Sequence, residues 1–169
     1  MGITPYRCDS IRPGDVRPAY PLIRNALPGL SLDEWVAFAR RSFRQRQRGK
    51  TGILVARGGQ PYPVGLCCWR QEVELARGSV LRAHQFVAFE LRETRPVTMA
   101  LLDGLDQLAR EIGCDRVESV LHDPAAALAS RFQAAGHRPA GAIWEKRIVC
   151  GPDRVVHTLA SALSDRDTL

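Results

Sequence analysis

The sequence predicts a mixed α/β domain of the α+β kind, with a mostly antiparallel central sheet flanked by helices. Three observations predict it. Turn signals at Gly58-Gly59-Gln60-Pro61 and Arg77-Gly78-Ser79 separate three apolar β-type runs. A capped amphipathic helix precedes them, and from Phe86 to Ile148 the order becomes β-α-β-α-β.

Taken in order, Ile11 to Asp15 reads as a short strand running into the Pro13-Gly14-Asp15 turn. A first helix is expected from Pro18 to Ala26, ended by Pro28-Gly29. Ser31-Leu32-Asp33-Glu34 is a capping box that opens a second helix, with Leu32, Trp35, Val36, Ala39 and Phe43 on its apolar face. Ile53 to Arg57 and Val64 to Val73 form a hairpin, and a third strand from Leu81 to Leu91 extends it into a meander. Pro96 suits the first turn of a helix whose apolar face is Leu101, Leu105, Leu108 and Ile112, and Gly113 suits its stop. Arg116 to Leu121 is a strand. Asp123 then caps a helix that starts at Pro124, contains Ala127, Leu128, Arg131 and Phe132, and closes at Gly136. Ala142 to Val149 is the last strand. Residues 150–169 read as a polar tail with an amphipathic turn or two around Val155, Val156, Leu159 and Leu163, so the expected organisation is one domain, 1–149, and a tail that includes a short helix.

The 169 residues, 45% hydrophobic and 25% charged, suit a globular domain that buries a single core without staples. No apolar run approaches the roughly 20 residues that span a bilayer, and the N-terminal stretch lacks the apolar segment of a secretory signal, so the expected location is the cytoplasm. The five cysteines, Cys8, Cys67, Cys68, Cys114 and Cys150, have neither a disulfide framework nor a metal-ligand spacing, and no metal is expected. Cys67 and Cys68 read as small buried thiols on opposite faces of a strand.

The net charge of +6 has one address: Arg40, Arg41, Arg44, Arg46, Arg48 and Lys50 carry it with no acid among them, while the other 18 of the 24 basic residues balance 18 acidic ones. Cations at a helix C-terminus complement its dipole. The run reads either as a solvated helix end or as a surface for anions, namely a cofactor phosphate, an acidic substrate or nucleic acid. Only Phe43 is interleaved with it, which is thin support for stacking on single strands.

Three segments carry a resemblance. Ile11-Arg12-Pro13-Gly14-Asp15, Pro63-Val64-Gly65-Leu66, and Ala134-Ala135-Gly136-His137 followed by Glu145-Lys146-Arg147-Ile148, in this order and spacing, resemble the opening strand, the central hairpin and the closing helix and strand of the GCN5-related N-acetyltransferase superfamily. The resemblance covers Ile11 to Ile148. It implies a V-shaped splay between the fourth and fifth strands, entry of acetyl-CoA or another acyl-CoA into the gap, and a glycine-containing turn before the long helix that binds pyrophosphate through backbone N–H groups.

The resemblance also shows departures. Pro96 and Thr98 stand at the two glycine-type positions of that turn; proline donates no N–H, and threonine crowds an approaching phosphate. Arg92 and Arg95 are the residues to replace the lost donors, with the hydroxyls of Thr94 and Thr98. The implied cofactor contacts are Phe89, Leu91, Arg92, Thr94, Arg95, Val97, Thr98 and Phe132. Phe132 occupies the position where many relatives place a tyrosine that protonates the leaving thiolate, and phenylalanine has no proton to give. Glu90, at the end of the splayed strand, is the best-placed carboxylate base, with Glu93 second. Among His84, His122, His137 and His157, His122 is the one at a strand end beside the cleft, where a hydrogen-bonded structural role is its other reading. Trp35, Trp69 and Trp144 read as core or cleft-wall aromatics.

The implied activity is transfer of an acyl group from acyl-CoA to an amine by direct attack, the acceptor being a small molecule or a peptide; the basic run favours an acidic or phosphate-bearing one. The competing reading is a catalytically inactive binding or assembly module that uses the Arg40–Lys50 surface. Nucleic acid binding is a third reading, no membrane partner is expected, and a homodimer is left open.

Overall fold

The computed structural model describes residues 6–46, 50–88, 97–121 and 126–141. The chain divides into a large unit, Met1–Arg138, and a small one, Pro139–Leu169. The large unit holds β1 (Arg7–Ser10), α1 (Tyr20–Ala26), α2 (Leu32–Arg46), β2 (Thr51–Arg57), β3 (Gly65–Glu74), β4 (Gly78–Ala88), α3 (Val97–Glu111), β5 (Arg116–Ser119) and α4 (Ala126–Ala134). The strands lie in chain order across one sheet; β1 to β4 are antiparallel neighbours, and β5 pairs parallel to β4. The strand expected at Ala142–Val149 and the tail lie outside the described residues.

Alternation along the strands builds two cores. On one face Ile53, Val55, Leu66, Cys68 and Val87 pack with Leu22 and Ile23 of α1 and Trp35 and Ala39 of α2. On the other, Leu54, Ala56, Cys67, Trp69, Leu81 and Ala83 pack with Val97, Leu101, Leu102, Leu105 and Ala109 of α3 and Phe132 of α4. Cys67 and Cys68 thus face opposite sides, as expected. Trp35 and Trp69 are both core residues, and Trp144 lies outside the described residues.

The local signals formed as expected. The Ser31 N–H donates to the Glu34 carboxylate at 2.8 Å, and the Glu34 N–H donates back to the Ser31 hydroxyl at 3.3 Å. Gly113 and Gly136 take the left-handed conformation at φ 71° and 84°, closing α3 and α4. The Asp123 cap and Pro124 lie outside the described residues.

Several boundaries differ from expectation. β2 begins at Thr51 rather than Ile53, since Thr51 and Gly52 pair with Arg70 and Trp69, and β3 runs Gly65–Glu74 rather than Val64–Val73. The first strand is Arg7–Ser10 rather than Ile11–Asp15: Ile11 makes the last bond, its N–H donating to the Ile53 carbonyl at 2.9 Å, and 13–15 coil into a 3-10 turn. That turn is fixed by Asp15, whose carboxylate accepts from the Arg12 N–H at 2.7 Å and from both Arg57 guanidinium nitrogens at 2.9 and 2.6 Å. α1 starts at Tyr20, two residues after Pro18. β4 starts at Gly78 because Ser79 and Val80 pair with Val73 and Glu72. β5 ends at Ser119 rather than Leu121, because β4 leaves it there.

The candidate active site

The site is built by an irregularity in β4. Leu66 of β3 pairs with Val87, but Cys68, two residues on, pairs with His84, three residues back. One extra residue therefore bulges from β4, and Gln85 absorbs it with φ 53°, in the left-handed region that non-glycine residues seldom occupy. The Cys68 thiol donates to the Gln85 side-chain oxygen at 3.6 Å. At the same level the parallel ladder stops. Ala83 pairs with Ser119, the Val120 N–H donates to the Ala83 carbonyl at 2.8 Å, and among the described residues no pairing follows, although β4 continues to Ala88. The strands fork as the resemblance implied, leaving the β4 edge from His84 to Ala88 without a strand partner on that side among the described residues.

The start of α3 is pressed against this region by a glycine. A Cβ on Gly65 would collide with Val97 Cγ1 and lie 3.3 Å from the Val87 carbonyl and 3.4 Å from Leu101 Cδ1. The absent side chain at Gly65 is what lets the first turn of α3 seat on β3 beside the forked end of β4.

Of the implied cofactor contacts, Val97, Thr98 and Phe132 are described, and all three are buried, at 1%, 3% and 4% exposure. Val97 and Phe132 share the α3/α4 core with Phe86. Phe132 meets Phe86 edge to face at 5.1 Å and His137 at 5.3 Å. Phe89, Glu90, Leu91, Arg92, Glu93, Thr94, Arg95 and Pro96 lie outside the described residues, as do His122 and His157.

Three of the thiols, Cys8, Cys67 and Cys68, are kept neutral. Burial, reinforced by Asp103 and Asp9, pushes Cys8 up to about 12, and burial alone does the same to Cys68; Cys67 is driven well above its ordinary value by burial, then by its thiol neighbours. None is an activated nucleophile. The basic run divides: Arg40, Arg41, Arg44 and Lys50 are exposed and make no ion pair among the described residues, while Arg48 lies outside them. Among the described residues no cluster of three His, Cys, Asp or Glu side chains forms a metal site.

Two features escaped the sequence reading. On the α1/α2 face, beyond the apolar patch, Arg82 bridges Glu72 at 2.6 Å, Glu74 at 2.7 Å and Glu118 at 3.0 Å, tying β3, β4 and β5 together. Next to it His84, half-buried, has its pKa lowered first by burial and then by Arg70, against an opposing pull from Glu72. The register alone brings these residues together; the alternation of Val80, Arg82 and His84 was the available signal.

This arrangement is the GCN5-related N-acetyltransferase fold: a mixed, mostly antiparallel sheet with helices on both faces and a fork between its fourth and fifth strands. Solved structures of that fold superpose on most of the chain. An aminoglycoside N-acetyltransferase, AAC(6')-Iy, in complex with CoA is 14% identical, covering 86% of this chain and 95% of its own, with a TM-score of 0.72. A glucosamine-6-phosphate N-acetyltransferase from Arabidopsis thaliana is 13% identical over 85% and 99%, with a TM-score of 0.65. An acetyltransferase from Trypanosoma brucei is 19% identical over 85% and 99%, with a TM-score of 0.64. No family profile and no curated protein matches the sequence. No described helix is long and apolar enough to cross a membrane.

Proposed function

We propose that this protein is an acyl-CoA-dependent N-acyltransferase in which a bound amine attacks the thioester directly, with residues 1–149 as the transferase domain. The observation that carries this reading is the edge of β4 from His84 to Ala88, which has no strand partner on the β5 side among the described residues, beside the seated start of α3. An extended donor arm bearing amides can pair with that edge as a strand does, so the backbone present fits the donor. The structures of similar fold support it, since AAC(6')-Iy is solved both with CoA and with a CoA bisubstrate analogue. When bound, acyl-CoA supplies the activated acyl group. The turn residues Arg92, Arg95 and Thr94 are assigned to its phosphates, and the walls include Phe89, Leu91, Val97, Thr98 and Phe132. Holding amine and thioester together can contribute about 7–11 kcal/mol to the barrier reduction, so the missing tyrosine at Phe132 does not stop the reaction. Glu90 and His122 are the acid–base candidates nominated by the sequence. The acceptor is read as a small-molecule or peptide amine.

Isothermal titration with acetyl-CoA and CoA tests this reading: saturable binding is expected, weakened in Arg92→Ala/Arg95→Ala, and no heat at millimolar ligand overturns it. The exposed Arg40, Arg41 and Arg44 favour one second reading, a non-catalytic module that binds anionic partners through α2. Steady acetyl-CoA turnover that is lost in the same double variant rules that out.

A further inference from the structure

On the sheet face that carries α3 and α4, the fork is occupied by rings, with Phe86 of β4 against Phe132 of α4 and Phe132 against His137. An amine reaching a donor in the fork therefore comes from the other face, the one carrying α1 and α2. Five β4 side chains reach that face, and one of them, Gln85, is engaged there, its side-chain oxygen accepting from the Cys68 thiol at 3.6 Å. Val80 and Val87 are buried, at 1% and 7% exposure, and Arg82 is committed to three carboxylates. The remaining one is His84, opposite Cys68 of the α1/α2 core, one residue past the last rung of the β4–β5 ladder and one before the bulged Gln85. It is half-buried and makes no hydrogen bond or ion pair among the described residues.

We infer that His84 is the base that takes the proton from the acceptor amine at the head of the fork. This rests on the acyltransferase reading. An alkylammonium first gives one N–H proton to a ring nitrogen of neutral His84, forming imidazolium and a free amine. The amine lone pair then forms the C–N bond to the thioester carbonyl carbon, and the C–S bond breaks with its electron pair on sulfur. The second proton leaves the nitrogen to solvent, and the imidazolium gives up its proton to the thiolate, returning His84 to its starting state. The surroundings suit that task. Burial first, then Arg70 of β3, hold His84 below the ordinary 6.5, while Glu72 of β3 opposes them, so the ring is neutral at pH 7. Arg82 of β4 and Glu118 of β5 face the same side but are bound to each other at 3.0 Å. α1, which packs on β4, brings Arg24 as its one charged residue, exposed to solvent.

The test uses the full chain, acetyl-CoA, and two kinds of nucleophile. One is whichever primary amine is turned over fastest among an aminoglycoside, glucosamine 6-phosphate and a peptide with a free N-terminus. The other is hydroxylamine, already unprotonated at pH 7 and needing no base. His84→Gln is expected to lower kcat/KM for the alkylamine by about 100-fold while leaving hydroxylamine turnover and the acetyl-CoA Kd unchanged. Arg70→Gln, at a half-exposed position, removes the cation that depresses His84, so the rising acid limb of the alkylamine pH profile moves to higher pH without loss at its plateau. Equal losses with both nucleophiles, no change in either, turnover of hydroxylamine alone by the wild type, or the selective loss appearing in Glu90→Gln or His122→Gln instead, each overturns the assignment while acetyl-CoA binding still stands. Failure of the wild type to bind acetyl-CoA overturns the acyltransferase reading itself.

Discussion

The two halves of β4 are one strand put to two uses. From Gly78 to Ala83 both edges are taken, by β3 and by β5, and its outward Arg82 gathers Glu72, Glu74 and Glu118 from the flanking strands. From His84 to Ala88 it keeps β3 but has no β5 partner among the described residues, and one of its residues, Gln85, sits in a costly backbone region. The first half pairs on both edges; the second pairs with β3 alone among the described residues, at the head of the candidate site. The lesson is that the bulge, more than any single side chain, separates scaffold from site, since a one-residue insertion changes which groups face each side.

The largest effect that would break this comparison is expected at Gly65. In Gly65→Ala the new Cβ overlaps Val97, whose β-branched side chain is stiff at χ1 in a helix, so the start of α3 is pushed off β3. A cost of about 1–3 kcal/mol in urea unfolding is expected. Acetyl-CoA affinity should fall at least tenfold, more than stability alone accounts for, because on the proposed reading the displaced helix start forms part of the donor site. Unchanged titration curves would separate α3 seating from donor binding.

Deleting Gln85 should come next. Without the extra residue, His84 and Phe86 fall into continuous register with β3, and the strand loses the kink that turns it from β5. The expected outcome is a folded protein by circular dichroism that no longer binds acetyl-CoA. Retained binding would mean that the fork does not depend on the bulge.

Arg82→Leu probes the paired half in the same way. The guanidinium and its partners are each about a quarter exposed, so solvent screens the pairs and the expected loss is about 1–2 kcal/mol in urea unfolding. Acetyl-CoA binding should be unaffected. A binding loss as large as that at Gly65 would show that the two halves are coupled.

How much of this was readable in advance follows from how local each signal is. The Ser31–Glu34 cap and the stops at Gly113 and Gly136 depend on neighbours three to five residues away, and all formed where the sequence put them. β1 was misplaced because Arg7-Cys8-Asp9-Ser10 is a polar edge strand, defined by its pairing with Leu54–Arg57 and not by its own pattern. Arg82 and His84 gained their settings from three strands in register, which no window of sequence displays. The bulge carried no glycine to announce it. The splay could be anticipated only through resemblance, and its turn from Phe89 to Pro96 lies outside the described residues.

The smallest effect, and the finest test of the comparison, is at Gln85 itself. A non-glycine residue in the left-handed region costs about 1–2 kcal/mol, whereas glycine there costs about 0.5–1 kcal/mol in unfolded-state entropy, so Gln85→Gly should stabilise the protein by roughly 0.5–1 kcal/mol. The loss of the contact at 3.6 Å from the Cys68 thiol subtracts little, sulfur being a weak donor. If the strain serves only to place the bulge, glycine places it equally well, and acetyl-CoA affinity stays the same while the urea midpoint rises. If the glutamine side chain also holds His84 at the head of the fork, alkylamine turnover falls while hydroxylamine turnover does not. The division of β4 would then rest on one side chain as well as on one inserted residue.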